Sequence, residues 1–258
     1  MRSLFALRLQ ESSELSLANM TADFVLPAEL AIIIPTLNEH DNIMPLVERL
    51  NVVLAGVAWE AVFVDDDSTD GTAFAVQEIA RRDPRVRCLR RIGRRGLSSA
   101  CIEGWAATAA SFIALMDADL QHDETLLPAM LARLREGGCD VVVGSRYVAG
   151  GSVGEWGAFR RWVSRMGTEA GRRLMRVTVA DPMSGFFMLD RRVFETNAAQ
   201  LTGTGFKILL DLLASAERPL RVVELPFTFR PRVAGESKLD ILVVLEFVQL
   251  VVHKLTRG

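Results

Sequence analysis

The chain has 258 residues, 50% of them hydrophobic and 24% charged, which suits one large globular domain or two small ones and excludes a disordered tail protein. Thirty basic residues against thirty-two acidic ones leave a formal charge of −2, so no nucleic-acid partner is expected from global charge. Three widely spaced cysteines, Cys88, Cys101 and Cys139, form neither a disulfide framework nor a zinc pattern and read as reduced, buried thiols in a cytosol-like compartment.

In chain order, the first segment, MRSLFALRLQESSEL, is broken by Arg8, Gln10 and Glu11 before an apolar core accumulates. No secretory signal is expected, and residues 1–28 read as an N-terminal appendage. Apolar runs of strand length then recur at 31–35, 60–66, 86–89, 112–117 and 140–144, with helical stretches at 41–54, 71–82, 97–110 and 124–136 between them. The runs are continuously apolar rather than alternating, so both sheet faces are covered. The expectation is an α/β fold with a mostly parallel central sheet and helices on both faces. After Gly150 the rhythm changes to a Gly-rich loop, a basic helix-like stretch at 160–176, and two further strands in SGFFMLD and RVVELPFTF. Residues 241–252, ILVVLEFVQLVV, are apolar on nearly every side. As a helix they would measure about 18 Å, short of the roughly 30 Å needed to span a bilayer, which leaves an interfacial helix or core packing as the alternatives.

In open α/β sheets, ligands lie beyond the carboxyl ends of the strands, and here those ends carry PTLNEHDN, DDDSTDGT, DADLQHD and GSRY. Asp117 and Asp119, two apart in extended chain, place carboxylates on one side about 7 Å apart. A hard divalent cation, Mg²⁺ or Mn²⁺, relieves their repulsion, and Gln121 offers a further oxygen. A lone D-x-D is a weak signal; its place at the end of a buried strand strengthens it. Helix capping accounts for Ser68 and Asp70 but not for three consecutive carboxylates at Asp65, Asp66 and Asp67, for which hydrogen bonds to a ribose or base edge are a natural use. Neither a dinucleotide fingerprint nor a P-loop accompanies them. Twenty-seven of the thirty basic residues are arginines; the lysines are Lys207, Lys238 and Lys254.

Eight segments in fixed order carry a resemblance: IIIPTLNE, VDDDSTDGT, RRGLSSACIEG, MDADLQH, VVGSRY, DPMSGFF, GFKILLD and RPRVAGESKLD. Together, over roughly residues 30–240, they resemble glycosyltransferase family 2 and, within it, the polyprenyl-phosphate (dolichol-phosphate) mannosyltransferases. A departure is Asp67, where relatives often have Gly or Asn. The resemblance implies a GT-A type domain over residues 29–240, a nucleotide-sugar donor with GDP-mannose preferred, a polyprenyl phosphate acceptor, and peripheral attachment at the cytosolic membrane face. Carried over by position, Pro35, Thr36, Glu39, Asp65 and Asp66 would form the nucleoside pocket. Asp117, Asp119 and Gln121 would hold the metal. Arg232 and Lys238 would clamp the donor diphosphate, Arg146, Arg160 and Ser164 would meet the acceptor phosphate, and Lys207 would lie near the catalytic centre.

A phosphate monoester is mostly a dianion at neutral pH, so such a reaction needs no general base, and the three histidines are free for structural or solvent-facing places. Direct displacement implies inversion, from an α-linked donor to a β-linked product. The residues alone leave a UDP-sugar donor open, as well as a catalytically silent sugar-nucleotide-binding subunit of a membrane complex.

Overall fold

Each continuously apolar run becomes a strand covered on both faces in the computed structural model, which describes residues 27–152 and 178–230. The strands are β1 (Leu30–Thr36), β2 (Trp59–Asp65), β3 (Val86–Arg90), β4 (Phe112–Leu115), β5 (Val141–Ser145), β6 (Phe187–Asp190) and β7 (Val222–Pro226). They form one sheet in the order β3, β2, β1, β4, β6, β5, β7. Pairing is parallel except on both sides of β6, which runs against β4 and β5.

The helices are α1 (His40–Val53), α2 (Thr72–Ala80), α3 (Leu97–Ala106), α4 (Leu127–Arg135), α5 (Arg191–Asn197) and α6 (Ile208–Ser215). Successive side chains of a strand point to opposite faces, and β1 feeds two cores accordingly. Leu30, Ile32 and Ile34 pack with α1, α2 and α4, whereas Ala31 and Ile33 pack with α3, α5 and α6. Trp105 of α3 is fully buried and meets Phe187 and Phe194 edge-on at 6.0 and 5.4 Å. Burying such a side chain contributes about 1.5–3 kcal/mol, and several of this size fix helix to sheet.

The expected helix over 97–110 stops at Ala106, because the Thr108 hydroxyl accepts the Ala110 N–H at 3.0 Å and turns the chain. The stretch 124–136 divides into a 3₁₀ turn, Glu124–Leu126, and α4, with Pro128 in the first turn of α4, where its missing N–H costs nothing. The strand expected over 112–117 ends at Leu115. The apolar segment 241–252, expected as an interfacial helix or as core packing, and the candidates Arg160, Ser164, Arg232 and Lys238 lie outside the described residues. No helix of the described residues is long and apolar enough to cross a membrane.

At the amino end of β5, Asp140 holds β7 against β5. It accepts from Arg218, from Arg221 and from the Arg221 N–H, at 2.7–3.2 Å. Those bonds, Arg218 first, hold its carboxyl far below the usual range. A carboxyl lowered on folding stabilises the protein above its unfolded pKa, about 3.9, and loses that contribution as pH falls. Asp140→Asn is therefore expected to lower unfolding free energy by about 1–2 kcal/mol at pH 7, the exposed arginines limiting the effect, with the deficit shrinking in urea titrations taken progressively below pH 4.

Gly104 lets α3 lie directly on β1 and β2. A methyl there would overlap Ile33 Cγ2 and come 2.9 Å from Val64 Cγ2. Gly104→Ala should destabilise by about 1–3 kcal/mol in chemical denaturation despite alanine's better helix propensity.

Candidate functional site at the carboxyl edge of the sheet

Because β1, β2, β4 and β5 are parallel, their carboxyl ends deliver Thr36, Asp65, Met116 and Ser145 to one edge. The reversed direction of β6 brings its entry segment, Asp181 to Phe186, to the same edge. The end of β7 adds Phe227 to Arg230.

At the β1 and β2 ends, Asp65 is fully buried and accepts from the Ser68 N–H at 3.0 Å, the Ser68 hydroxyl at 2.5 Å and the Thr36 hydroxyl at 3.3 Å. Asp66, 7% exposed, accepts from Arg91 at 2.5 Å and from the Gly96 N–H at 2.7 Å. Burial raises the Asp66 pKa, opposed by the Gly96 N–H and by Arg91. Arg91 also reaches the Gly96 carbonyl at 3.0 Å and Ser99 at 2.6 Å, so the pair fixes the loop leading into α3. Glu39 accepts from Asn42 at 2.7 Å, and its N–H donates to Thr72 at 2.9 Å. Pro35, half-buried, precedes Thr36 in β1. The five nucleoside candidates thus share one corner, and Asp66 shapes its wall. Asp67 has φ 58°, the left-handed region that Gly, Asn and Asp tolerate best, and Arg90 and the Gly93 N–H hold its pKa down.

Beyond β4 the chain turns rather than continuing extended. Leu120 has φ 61° and is 2% exposed, its side chain in the core with Met116 and Ala118. That anchoring holds a conformation unfavourable to a branched residue, and the two acids of the turn have different settings. Asp117 has a side chain 41% exposed, whereas Asp119 is 5% exposed and accepts the Gln121 N–H at 3.1 Å. The Gln121 carboxamide donates to the Arg230 carbonyl at 3.0 Å, which directs its oxygen elsewhere. His122 is buried, stacks on Phe186 at 5.1 Å, meets Phe227 and Phe229 edge-on, and accepts the Asp117 N–H at Nδ1 (3.0 Å). Burial pushes its pKa down to about 4. It is a neutral structural brace for the acidic turn.

Two carboxylates and an amide oxygen on one turn match the one or two carboxylates, completed by phosphate and water, that Mg²⁺ or Mn²⁺ takes. No cluster of three or more His, Cys, Asp or Glu side chains among the described residues offers an all-protein cage. These donors therefore fit a cation shared with a bound phosphate.

Arg146, following β5, is gripped by Asp181: its N–H at 3.0 Å, Nε at 2.8 Å and a terminal nitrogen at 2.8 Å all donate to that carboxylate. Asp181 is itself placed by Glu224 of β7, which accepts the Ala180 and Asp181 N–H groups at 2.8 and 3.0 Å. The Arg146 guanidinium lies over the Tyr147 and Phe229 rings at 5.5 and 5.8 Å. Lys207 enters α6 as its N-cap. Burial and Arg146 lower its pKa, while Asp117 and Asp181 act in the opposite direction. Asp117, Arg146, Asp181 and Lys207 thus form one electrostatic group drawn from four separate segments.

A family model described as Glycosyl transferase family 2 matches residues 31–197. The chain belongs to glycosyl transferase family 2. Similar family members include the dolichol-phosphate mannosyltransferase of Pyrococcus furiosus, 39% identical over 86% of this chain and 62% of that one. That of Saccharomyces cerevisiae is 36% identical over 86% of this chain and 85% of that one. The chain spans less than two thirds of the archaeal relative. The fold also resembles glucosyl-3-phosphoglycerate synthase of Mycobacterium tuberculosis, solved with Mn²⁺ and UDP-glucose (TM-score 0.65, 17% identity, 88% of this chain and 79% of that one). A second structure of that enzyme, with Mg²⁺ and UDP, gives a TM-score of 0.66 at 19% identity, covering 88% of this chain and 79% of that one. This is the GT-A type fold expected from the motifs.

Thr36, Asp65, Asp66, Asp117, Asp119 and Arg146 lie at one edge of the sheet, and Lys207, at the start of α6, feels the charges of Asp117 and Arg146. Sequence reasoning missed Arg91, Asp181, Glu224 and Arg230. Asp181 opens the segment DPMSGFF, and its adjacency to Pro and a Gly turn is the available signal. Arg91 was hidden in a run of eight arginines whose other members are mostly solvent-facing.

Arg91→Ala would leave the Asp66 carboxylate buried without its cation. Breaking such a pair costs about 3–5 kcal/mol, so urea denaturation should show a loss of that order, whereas Arg94→Ala, which removes an exposed pair with Glu103, should cost less than about 1 kcal/mol.

Proposed function

We propose that the chain transfers mannose from GDP-mannose to a polyprenyl phosphate with inversion, giving β-linked polyprenyl phosphate mannose. The reading is supported by the meeting of an acidic turn, Asp117 and Asp119, with two cations, Arg146 and Lys207, at the edge where Asp65 and Asp66 define a nucleoside corner. Relatives 36–39% identical over 86% of this chain bear the name dolichol-phosphate mannosyltransferase.

In this reading Pro35, Thr36, Glu39, Asp65 and Asp66 border the donor nucleoside. Asp117, Asp119 and the Gln121 oxygen would hold Mg²⁺ or Mn²⁺, which when bound supplies charge neutralisation to the departing diphosphate. Arg232 and Lys238 would add to that neutralisation, and Arg146, with Arg160 and Ser164, would receive the acceptor phosphate. Arg146 is suited to the task because Asp181 fixes its plane, so little reorganisation is needed when a phosphate arrives. Lys207, which feels the charges of both Arg146 and Asp117, would contribute a cation between acceptor and donor phosphates. The acceptor dianion attacks without deprotonation. His122 is no candidate base: its Nδ1 lone pair is occupied by the Asp117 N–H, and burial makes the ring a weak proton acceptor. The apolar sequence 241–252 supports a peripheral position at the cytosolic membrane face, where a lipid phosphate is presented.

The purified chain, incubated with Mn²⁺, a short-chain polyprenyl phosphate and either GDP-mannose or UDP-glucose, should yield lipid-linked sugar from GDP-mannose. Product from UDP-glucose alone overturns the donor, and no product from any donor overturns the enzymatic reading. Asp119→Ala should reduce kcat at least ~100-fold with unchanged circular dichroism; turnover equal to wild type, or insensitive to chelator, removes the metal assignment.

A further inference from the structure

The segment leaving β7 is bound to the acidic turn through one residue. The Arg230 N–H donates to the Gln121 carbonyl at 3.0 Å, and the Arg230 carbonyl accepts the Gln121 side-chain amide at 3.0 Å. Its guanidinium reaches past the turn to Asp123 at 2.6 Å and Glu124 at 2.8 Å. Glu124 is 5% exposed and has a second, longer contact with Arg49 of α1 at 3.6 Å. Asp123 caps the 3₁₀ turn by accepting from Thr125. The main chain of residue 230 is therefore held in register by two ion pairs made by its own side chain.

The consequence falls on Gln121. A carboxamide can present either its oxygen or its nitrogen to a neighbour by rotating half a turn, and only the nitrogen can donate to a carbonyl. With the Arg230 carbonyl fixed, the nitrogen is committed there and Oε1 is presented on the other side of the group. We propose that Arg230 is a positioning residue for the divalent cation, acting through the Gln121 carboxamide and never touching the metal itself. This rests on the assignment of Asp117, Asp119 and Gln121 as the metal donors. Neighbours of ligands in this role typically change metal affinity by about 10–100-fold when removed.

The test is Mn²⁺ binding by the full chain, read as free Mn²⁺ by electron paramagnetic resonance without donor or acceptor. Arg230→Ala should weaken Mn²⁺ binding by about 10-fold, and Arg230→Lys, which retains one cation for Asp123 or Glu124, should recover part of the loss. Gln121→Met sets the limit, and adding Arg230→Ala to it should cause no further loss, because residues acting through one group are not additive. In transfer assays the Mn²⁺ concentration for half-maximal rate should rise more than kcat falls. Undiminished Mn²⁺ binding by Arg230→Ala, or losses that add in the double variant, overturn the proposal while leaving the metal assignment in place. A wild-type chain that binds no Mn²⁺ overturns both. Should Arg230→Ala fail to unfold cooperatively, the comparison of wild type with Arg230→Lys decides: equal affinity overturns the proposal, and a severalfold loss supports it.

Discussion

Like charges crowded at one sheet edge are the constraint around which this molecule is built. Five carboxylates, on Asp65, Asp66, Asp117, Asp119 and Asp181, are delivered there by strand direction alone, and four of the five are buried. An ionised carboxylate leaves water at a cost of several kcal/mol unless donors or a cation replace the lost hydration. The fold answers each case differently. Asp65 receives hydroxyls and an N–H, Asp66 receives a buried guanidinium, and Asp181 receives Arg146. Asp119 receives the Gln121 N–H, and with Asp117 it forms the part of the edge suited to an added cation.

The antiparallel β6 is what completes the site. Were it parallel to its neighbours, its entry segment would lie at the far edge with Asp140. Running in reverse, it brings Asp181 to Arg146 and Phe186 to His122. The aromatic packing around His122, with Phe186, Phe227 and Phe229, then supports the acidic turn from beneath. The same segments thus serve the core on one side and the charged edge on the other.

The sheet was legible in the sequence because doubly covered strands are continuously apolar, and the strand ends were legible because acids interrupt those runs abruptly. Periodicity carries no information on strand direction, so the reversal of β6 was hidden. The short helices α5 and α6 were hidden as well, since seven or eight residues supply too few turns for a distinct pattern. The D-x-D spacing suggests extended chain, but β4 ends at Leu115 and the chain bends from Ala118 to Leu120, a turn held by burial of Leu120 in the core, which is a tertiary fact. Arg91 carries no local mark distinguishing it from Arg90 or Arg94. Only the position of β3 beside β2 places it against Asp66.

The choice of cations at this edge follows from their chemistry. Arg146 is held by a bidentate carboxylate and stays charged however deeply it is packed, because a guanidinium does not release its proton in a protein. A second guanidinium beside it would add full repulsion with no means of relief. Lys207 occupies that place with a compact ammonium whose pKa already yields to burial and to Arg146. An anionic ligand arriving between the two would further favour the charged ammonium, as Asp117 and Asp181 already do. In the proposed reading, Arg146 and Lys207, set among Asp117 and Asp181, are where an acceptor phosphate would be received.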